Sequence, residues 1–168
     1  YGPLTVGMIL GLVSLLLITL TNSGNKERMD LNLKELTIIN ELSVTVGLIM
    51  LTIGNFLGGQ WANESWGRYW GWDPKETWAL ISIMVYAFVI HTRLVPGLRG
   101  RWTFNFLTIL AFGSIMMTYF GVNFYLVGLH SYASGSQVIT PTFVWYTLFG
   151  VLLLGGISYW RYKVNYAK

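Results

Sequence analysis

Long uncharged apolar runs alternate along the chain with short segments where charges and glycines gather. Residues 3–21 carry no charge over nineteen positions, close to the roughly 20 apolar residues a helix needs to cross about 30 Å of hydrocarbon. Lys26, Glu27, Arg28, Asp30, Lys34 and Glu35 then break the apolarity, and Leu31, Leu33 and Leu36 leave room for a short helix lying on the surface of a solvated connector. A second span covers residues 37–58, with Glu41 near its start. An intramembrane carboxylate is a functional candidate by default, but Glu41 lies within about a turn of the connector and reads as able to reach water. Asp73, Pro74 and Glu76 spell a helix start: an N-cap, a proline at the first position and a glutamate three residues after the cap. The third span runs from 74 to about 93, with His91 in its last turn. A tight basic loop at 95–101 leads to a fourth span at 102–120. The uncharged run continues to Leu129, longer than one crossing, so residues 121–129 are expected to lie along the interface or fold back. After His130 and the small polar SYASGSQ, Thr140 and Pro141 open a last span at 141–160.

This pattern predicts an all-α, polytopic membrane helical bundle of about five transmembrane helices. Residues 1–168 form one membrane domain, with an external tryptophan-rich loop at 59–73 and an external histidine-bearing loop at 121–140. Composition agrees: 54% of the 168 residues are hydrophobic and only 11% charged. The net charge of +4 points to sidedness, with no nucleic-acid partner, because of where the cations lie. Lys26, Arg28, Lys34, Arg93, Arg99, Arg101, Arg161, Lys163 and Lys168 all fall on one side of the alternation, and only Arg68 and Lys75 on the other. The positive-inside rule therefore puts the tryptophan stretch and His130 outside and His91 near the cytoplasmic surface. Zero cysteines exclude a disulfide, a thiolate metal site or cysteine catalysis from this chain. Tyr1 is not an initiator methionine and no basic segment precedes the first apolar run, so that run is not a signal peptide, and the sequence reads as a C-terminal fragment of a longer protein or as a separate subunit.

Residues 61–78, WANESWGRYWGWDPKETW, hold five of the eight tryptophans beside Arg68, Asp73, Lys75 and Glu76. Tryptophan suits a membrane–water boundary, and a cluster of it also makes a flat platform for a large aromatic ligand. An interfacial belt would place similar numbers at both faces; instead five crowd into one stretch, with Trp102 and Trp160 opposite. Asp73 and Glu76 are accounted for by the helix start and shape the site rather than touch reacting atoms. From Trp78 to His91 is about 20 Å of helix at 1.5 Å per residue. His91 therefore cannot join His130 on one iron, since two axial nitrogens at ~2 Å each sit only about 4 Å apart. Each histidine stays open between an interfacial or capping role and ligation.

WGRYWGWDPKETWAL, with HTR at 91–93 and GVNFYLVGLHSYASGS at 121–136, resembles the tryptophan-rich WWD signature of the cytochrome c biogenesis membrane proteins, most closely the CcsA/ResC type. Trp66, Gly67, Trp70, Trp72, Asp73, Pro74, Lys75, Glu76 and Thr77 fall on the motif. The resemblance implies haem handling, with haem b bound transiently as substrate. It implies haem-binding residues Trp61, Trp66, Trp70, Trp72, Asp73, Trp78 and Arg68, with His91 receiving haem inside the membrane and His130 holding it outside. The implied function is to carry haem across the membrane and present it at the tryptophan surface for covalent attachment to an apocytochrome c bearing a Cys-x-x-Cys-His segment. The chain would then be part of a holocytochrome c synthase with no nucleophile of its own. The alternative is a haem transporter or chaperone that passes haem to a separate ligase. The implied location is the bacterial cytoplasmic membrane, or alternatively the plastid thylakoid. The sequence departs from the family in lacking a second external histidine and a partner for His91. Those ligands are expected from an upstream fused segment or from a CcsB/ResB-type partner.

Overall fold

Pro3 in the first turn pre-sets the backbone for a helix, and helix α1 runs over Gly2–Leu20. The computed structural model describes residues 1–126 and 140–166. Helix α2 spans Lys26–Trp66, 41 residues or about 61 Å of helix. It unites what the sequence pattern divides into connector, second span and the start of the tryptophan loop. The charges at its beginning set which part is wet; they do not interrupt the backbone, and no proline stands between Lys26 and Trp66. Helix α3 is Pro74–His91, continued by a 3₁₀ turn at Thr92–Leu94. Helix α4, Arg101–Met116, passes through a π turn at Met117–Gly121 into α5, Val122–Tyr125, so residues 121–125 of the stretch expected to lie along the interface or fold back continue the helix, and 127–129 lie outside the described residues. Helix α6 is Thr142–Tyr166. Five helical stretches are long and apolar enough to cross a membrane, and no strand occurs among the described residues. The expected all-α bundle holds, and the chain is an integral membrane protein.

Lipid tails are as apolar as leucine, so helices in a bilayer associate through close packing and buried polar contacts. Both are present. A Cβ at Gly7 would meet Val44, and one at Gly47 would meet Leu4, so α1 lies tightly against α2. Leu4, Val44, Tyr86, Val89, Phe104, Ala111 and Ile115 bring α1 to α4 into one core cluster. Asn105 Nδ2 donates to Thr37 Oγ1 at 2.9 Å, and Asn40 Nδ2 donates to Asn105 Oδ1 at 2.8 Å, all three residues fully or almost fully buried. Such interhelical bonds contribute about 0.6–2 kcal/mol each. Glu41, which the sequence alone leaves facing water, accepts from Arg93 Nη2 at 3.0 Å and Nε at 3.2 Å. One carboxylate oxygen thereby ties α2 to the end of α3.

The cations converge on one end of the bundle. Arg101 pairs with Asp30 at 2.7 Å, Arg101 and Lys26 both lie over the Tyr166 ring at 5.7 Å, and Arg161 Nε donates to the Thr19 carbonyl at 3.1 Å. Helix α6 is also held along its length: Trp102 Nε1 donates to Ser158 Oγ at 2.9 Å, Phe106 packs on Gly155, and Val151, Leu154 and Tyr162 pack against the cluster of Leu15, Ile18, Leu33 and Ile109. From Asp30 at this end to Phe56 beside the tryptophans is about 39 Å along α2, close to a bilayer with its headgroups.

Candidate functional site

The site begins where α2 stops. Gly67 takes φ 70°, a left-handed C-cap that glycine adopts without a Cβ penalty, and its N–H donates to the Asn63 carbonyl at 2.9 Å. Trp61 and Trp66 therefore ride on the last turns of α2, while Trp70 and Trp72 stand on the seven-residue return to α3.

Two anchors fix that return. At one end Tyr69 lays its ring on Gly59, where an added Cβ would come within 2.8 Å of the ring, and its hydroxyl donates to the Phe56 carbonyl at 3.0 Å. At the other end Asp73 caps α3, its Oδ2 accepting from the Lys75 N–H at 3.2 Å, and Asp73 is only 6% exposed. The Glu76 side chain completes the capping box and reaches further: Oε2 accepts from the Asp73 N–H at 3.2 Å and from the Gly71 N–H at 2.9 Å. The Arg68 guanidinium occupies the space a Cβ at Gly71 would need.

Trp72 lies between those two pinned peptides with φ 57°, the one non-glycine residue with positive φ among the described residues. For a bulky side chain that conformation is a steric outlier, held only where the surroundings enforce it. Its ring is 71% exposed and meets Trp70 edge-on, centroids 5.8 Å apart and planes at 90°. Trp61 and Trp66 form a second edge-on pair at 5.1 Å and 77°. Each such pair is worth about 0.5–1.5 kcal/mol beyond burial, which stiffens the aromatic wall.

Between α2, the return and the start of α3 opens a cavity of about 500 Å³, lined among others by Leu51, Gly54, Trp61, Tyr69, Trp70 and Glu76. The size falls within the range of small-molecule and cofactor sites. Trp66 and Trp72 do not line it but are paired edge-on with the two lining tryptophans, Trp61 and Trp70. Trp78 lies in the first turns of α3, where its carbonyl accepts from Ser82 Oγ at 2.9 Å and Thr118 Oγ1 at 3.1 Å, so it bridges to the π turn and not to the cavity wall.

His91 is exposed at the far end of α3. Its Nδ1 lies 2.7 Å from the Ala87 carbonyl. A carbonyl only accepts, so Nδ1 carries the hydrogen, and Nε2 is the ring nitrogen left for a ligand. His130 lies outside the described residues. Tyr69 and Gly59 are contributors the sequence analysis does not single out. Their signal was the Gly58–Gly59 pair inside an apolar run, which marks a close approach without naming what approaches.

Comparison with known proteins places these features in context. A family described as cytochrome C assembly protein matches residues 1–130. Protein NrfI of Wolinella succinogenes is 54% identical over 138 residues, covering 82% of this chain and 15% of that protein. The cytochrome c biogenesis protein CcsA of Synechococcus sp. strain CC9902 is 44% identical over 118 residues, 68% of this chain and 38% of its own length. CcsA of Cyanophora paradoxa is 42% identical over 123 residues, with the same two shares. The chain thus spans well under half the length of these curated relatives.

Proposed function

Because the chain belongs to the cytochrome C assembly protein family, we propose that it binds haem at the tryptophan-lined cavity and presents it for covalent attachment to an apocytochrome c. The observation that carries this reading is the cavity itself: aromatic on the sides given by Trp61, Tyr69 and Trp70, with Lys75 and Glu76 at its margin. A planar aromatic macrocycle with carboxylate arms is the substrate class such a wall accepts. Stacking contributes most of the affinity, since an exposed pair between Arg68 or Lys75 and a propionate adds only about 0–1 kcal/mol.

Attachment adds each acceptor thiol across a haem vinyl group: sulfur bonds to one vinyl carbon, the thiol proton goes to the other, and no electrons leave the pair of reactants. The acceptor of the Cys-x-x-Cys-His type brings both nucleophiles. What remains for this chain is to hold the haem, exclude water from one face and leave the vinyl edge open. Trp61, Trp66, Trp70, Trp72 and Trp78, with Asp73 and Arg68, form or support that holding surface.

His91 and His130 serve two successive haem positions, His91 on the cation-rich, cytoplasmic side and His130 outside. The separation of His91 from the tryptophans along α3 and its free Nε2 support this order. Second axial ligands come from the longer protein or from a CcsB/ResB-type partner. The membrane is a bacterial cytoplasmic membrane or a thylakoid, with the cavity on the extracytoplasmic face by the positive-inside rule.

The test is the Trp70→Ala/Trp72→Ala double variant of the full-length protein, co-expressed with an apocytochrome c and scored for covalently bound haem by haem staining of denatured gels. Loss of holocytochrome with normal accumulation of the variant supports the proposal. Wild-type maturation overturns it.

A further inference from the structure

We propose that Glu76 is the positioning residue that sets Trp72, acting through the N–H groups of Gly71 and Asp73 on either side of it. An ordinary capping box would need only the Asp73 N–H. Here the same Oε2 also takes the Gly71 N–H, so the N–H groups of both residues neighbouring Trp72 converge on one oxygen and the chain between them is closed into a tight turn. Trp72 answers with φ 57° and a ring 71% exposed, turned edge-on to Trp70. The conformation costs energy for tryptophan and persists only because the surroundings over-determine it. Arg68 seals the inner side of the turn over Gly71, where no Cβ fits.

Glu76 also lines the cavity. One side chain therefore caps α3, closes the turn and borders the space into which Trp70 faces. This deepens the proposed function and rests on it for the identity of the ligand: Trp72 becomes the outer lip of the haem surface, held at a fixed angle before haem arrives. Pre-setting the lip removes the ordering cost that a freely turning tryptophan would impose on binding. The position of Trp72 itself does not rest on the haem reading.

The two are separated by labelling the full-length protein with 5-fluorotryptophan, assigning the Trp72 resonance with Trp72→Phe and recording ¹⁹F spectra before and after adding ferric haem. Glu76→Ala and Glu76→Asp should shift and broaden the Trp72 resonance toward its denatured position. Asp is included because it keeps the charge but is one methylene too short to reach both N–H groups, and it decides the matter if the alanine variant does not accumulate. Glu76→Gln, which keeps an acceptor oxygen at the same reach, should restore the wild-type resonance. Asp73→Ala removes the other half of the helix cap but leaves both bonds to Glu76 Oε2, and should move the Trp72 resonance far less than Glu76→Asp does. A Trp72 resonance unmoved by Glu76→Asp, or moved equally by Asp73→Ala, overturns the positioning role. A resonance that follows Glu76 but does not respond to haem keeps that role and overturns the haem reading.

Discussion

The Tyr69 hydroxyl reaches back thirteen residues to the Phe56 carbonyl, 3.0 Å away, while the outer end of its ring packs on Gly59. That contact fastens the tryptophan-bearing turn to the shaft of α2, so the cavity wall depends on a residue that is not itself a tryptophan. Gly59→Leu puts a branched side chain where the ring sits and should detach the turn. Tyr69→Phe keeps the ring and loses one hydrogen bond, about 0.5–1.5 kcal/mol. Limited proteolysis between Gly67 and Asp73 checks this: fast cleavage is expected in Gly59→Leu and little change in Tyr69→Phe. Equal resistance in both variants would remove Tyr69 as an anchor.

Asp73 should matter through α3 rather than through the ligand. It is 6% exposed and its carboxylate is engaged by the helix cap. Asp73→Ala should cost about 0.5–2 kcal/mol of stability, read as a lowered Tm in detergent. Haem affinity among the molecules that remain folded should be near wild type. A large affinity loss at unchanged Tm would make Asp73 a direct ligand contact.

The pair of Glu41 and Arg93 predicts a coupled effect. Their side chains are 36% and 22% exposed, so breaking the pair should cost less than the 3–5 kcal/mol of a fully buried one, about 1–3 kcal/mol. Glu41→Ala or Arg93→Ala should lower Tm, and the swapped variant Glu41→Arg/Arg93→Glu should recover part of the loss. No recovery on swapping would show that each residue acts separately.

Much of this architecture is legible in the amino-acid sequence alone. Five apolar stretches of crossing length announce five helices, and the Asp73, Pro74, Glu76 sequence announces the start of α3, because caps are coded within four neighbouring residues. The continuity of α2 was not legible: charge shows which part of a helix is wet, not whether the helix goes on, and only Gly67 ends it. Glu41 looked solvated because its partner, Arg93, is fifty-two positions away. The second bond of Glu76 to Gly71 and the seat of Tyr69 on Gly59 are likewise products of the fold, invisible to spacing.

Orientation has its own check. Ser65 and Arg99 are both exposed, at opposite ends of the bundle. Ser65→Cys should react with an impermeant maleimide added to intact cells, and Arg99→Cys only after the membrane is breached. The chain has no cysteine to confuse the labelling. The reverse pattern would turn the protein over.

His91 should act through Nε2, since Nδ1 is bound to the Ala87 carbonyl. In the full-length protein His91→Ala should block loading of the outer site, while His130→Ala should retain haem within the membrane that is not usable for attachment. Added imidazole should partly restore either by filling the vacated axial position. Wild-type haem spectra and normal cytochrome maturation in both variants would show that neither histidine is a ligand.

The central claim is that haem rests against the tryptophans of the cavity wall, and its most direct measurement is the affinity of purified full-length Trp70→Ala protein for added haem, followed by absorption titration. Removing one ring from the wall should cost about 1–3 kcal/mol of contact, a rise in Kd of roughly 5- to 150-fold. A Kd equal to that of the wild type, with the variant folded, would contradict the account.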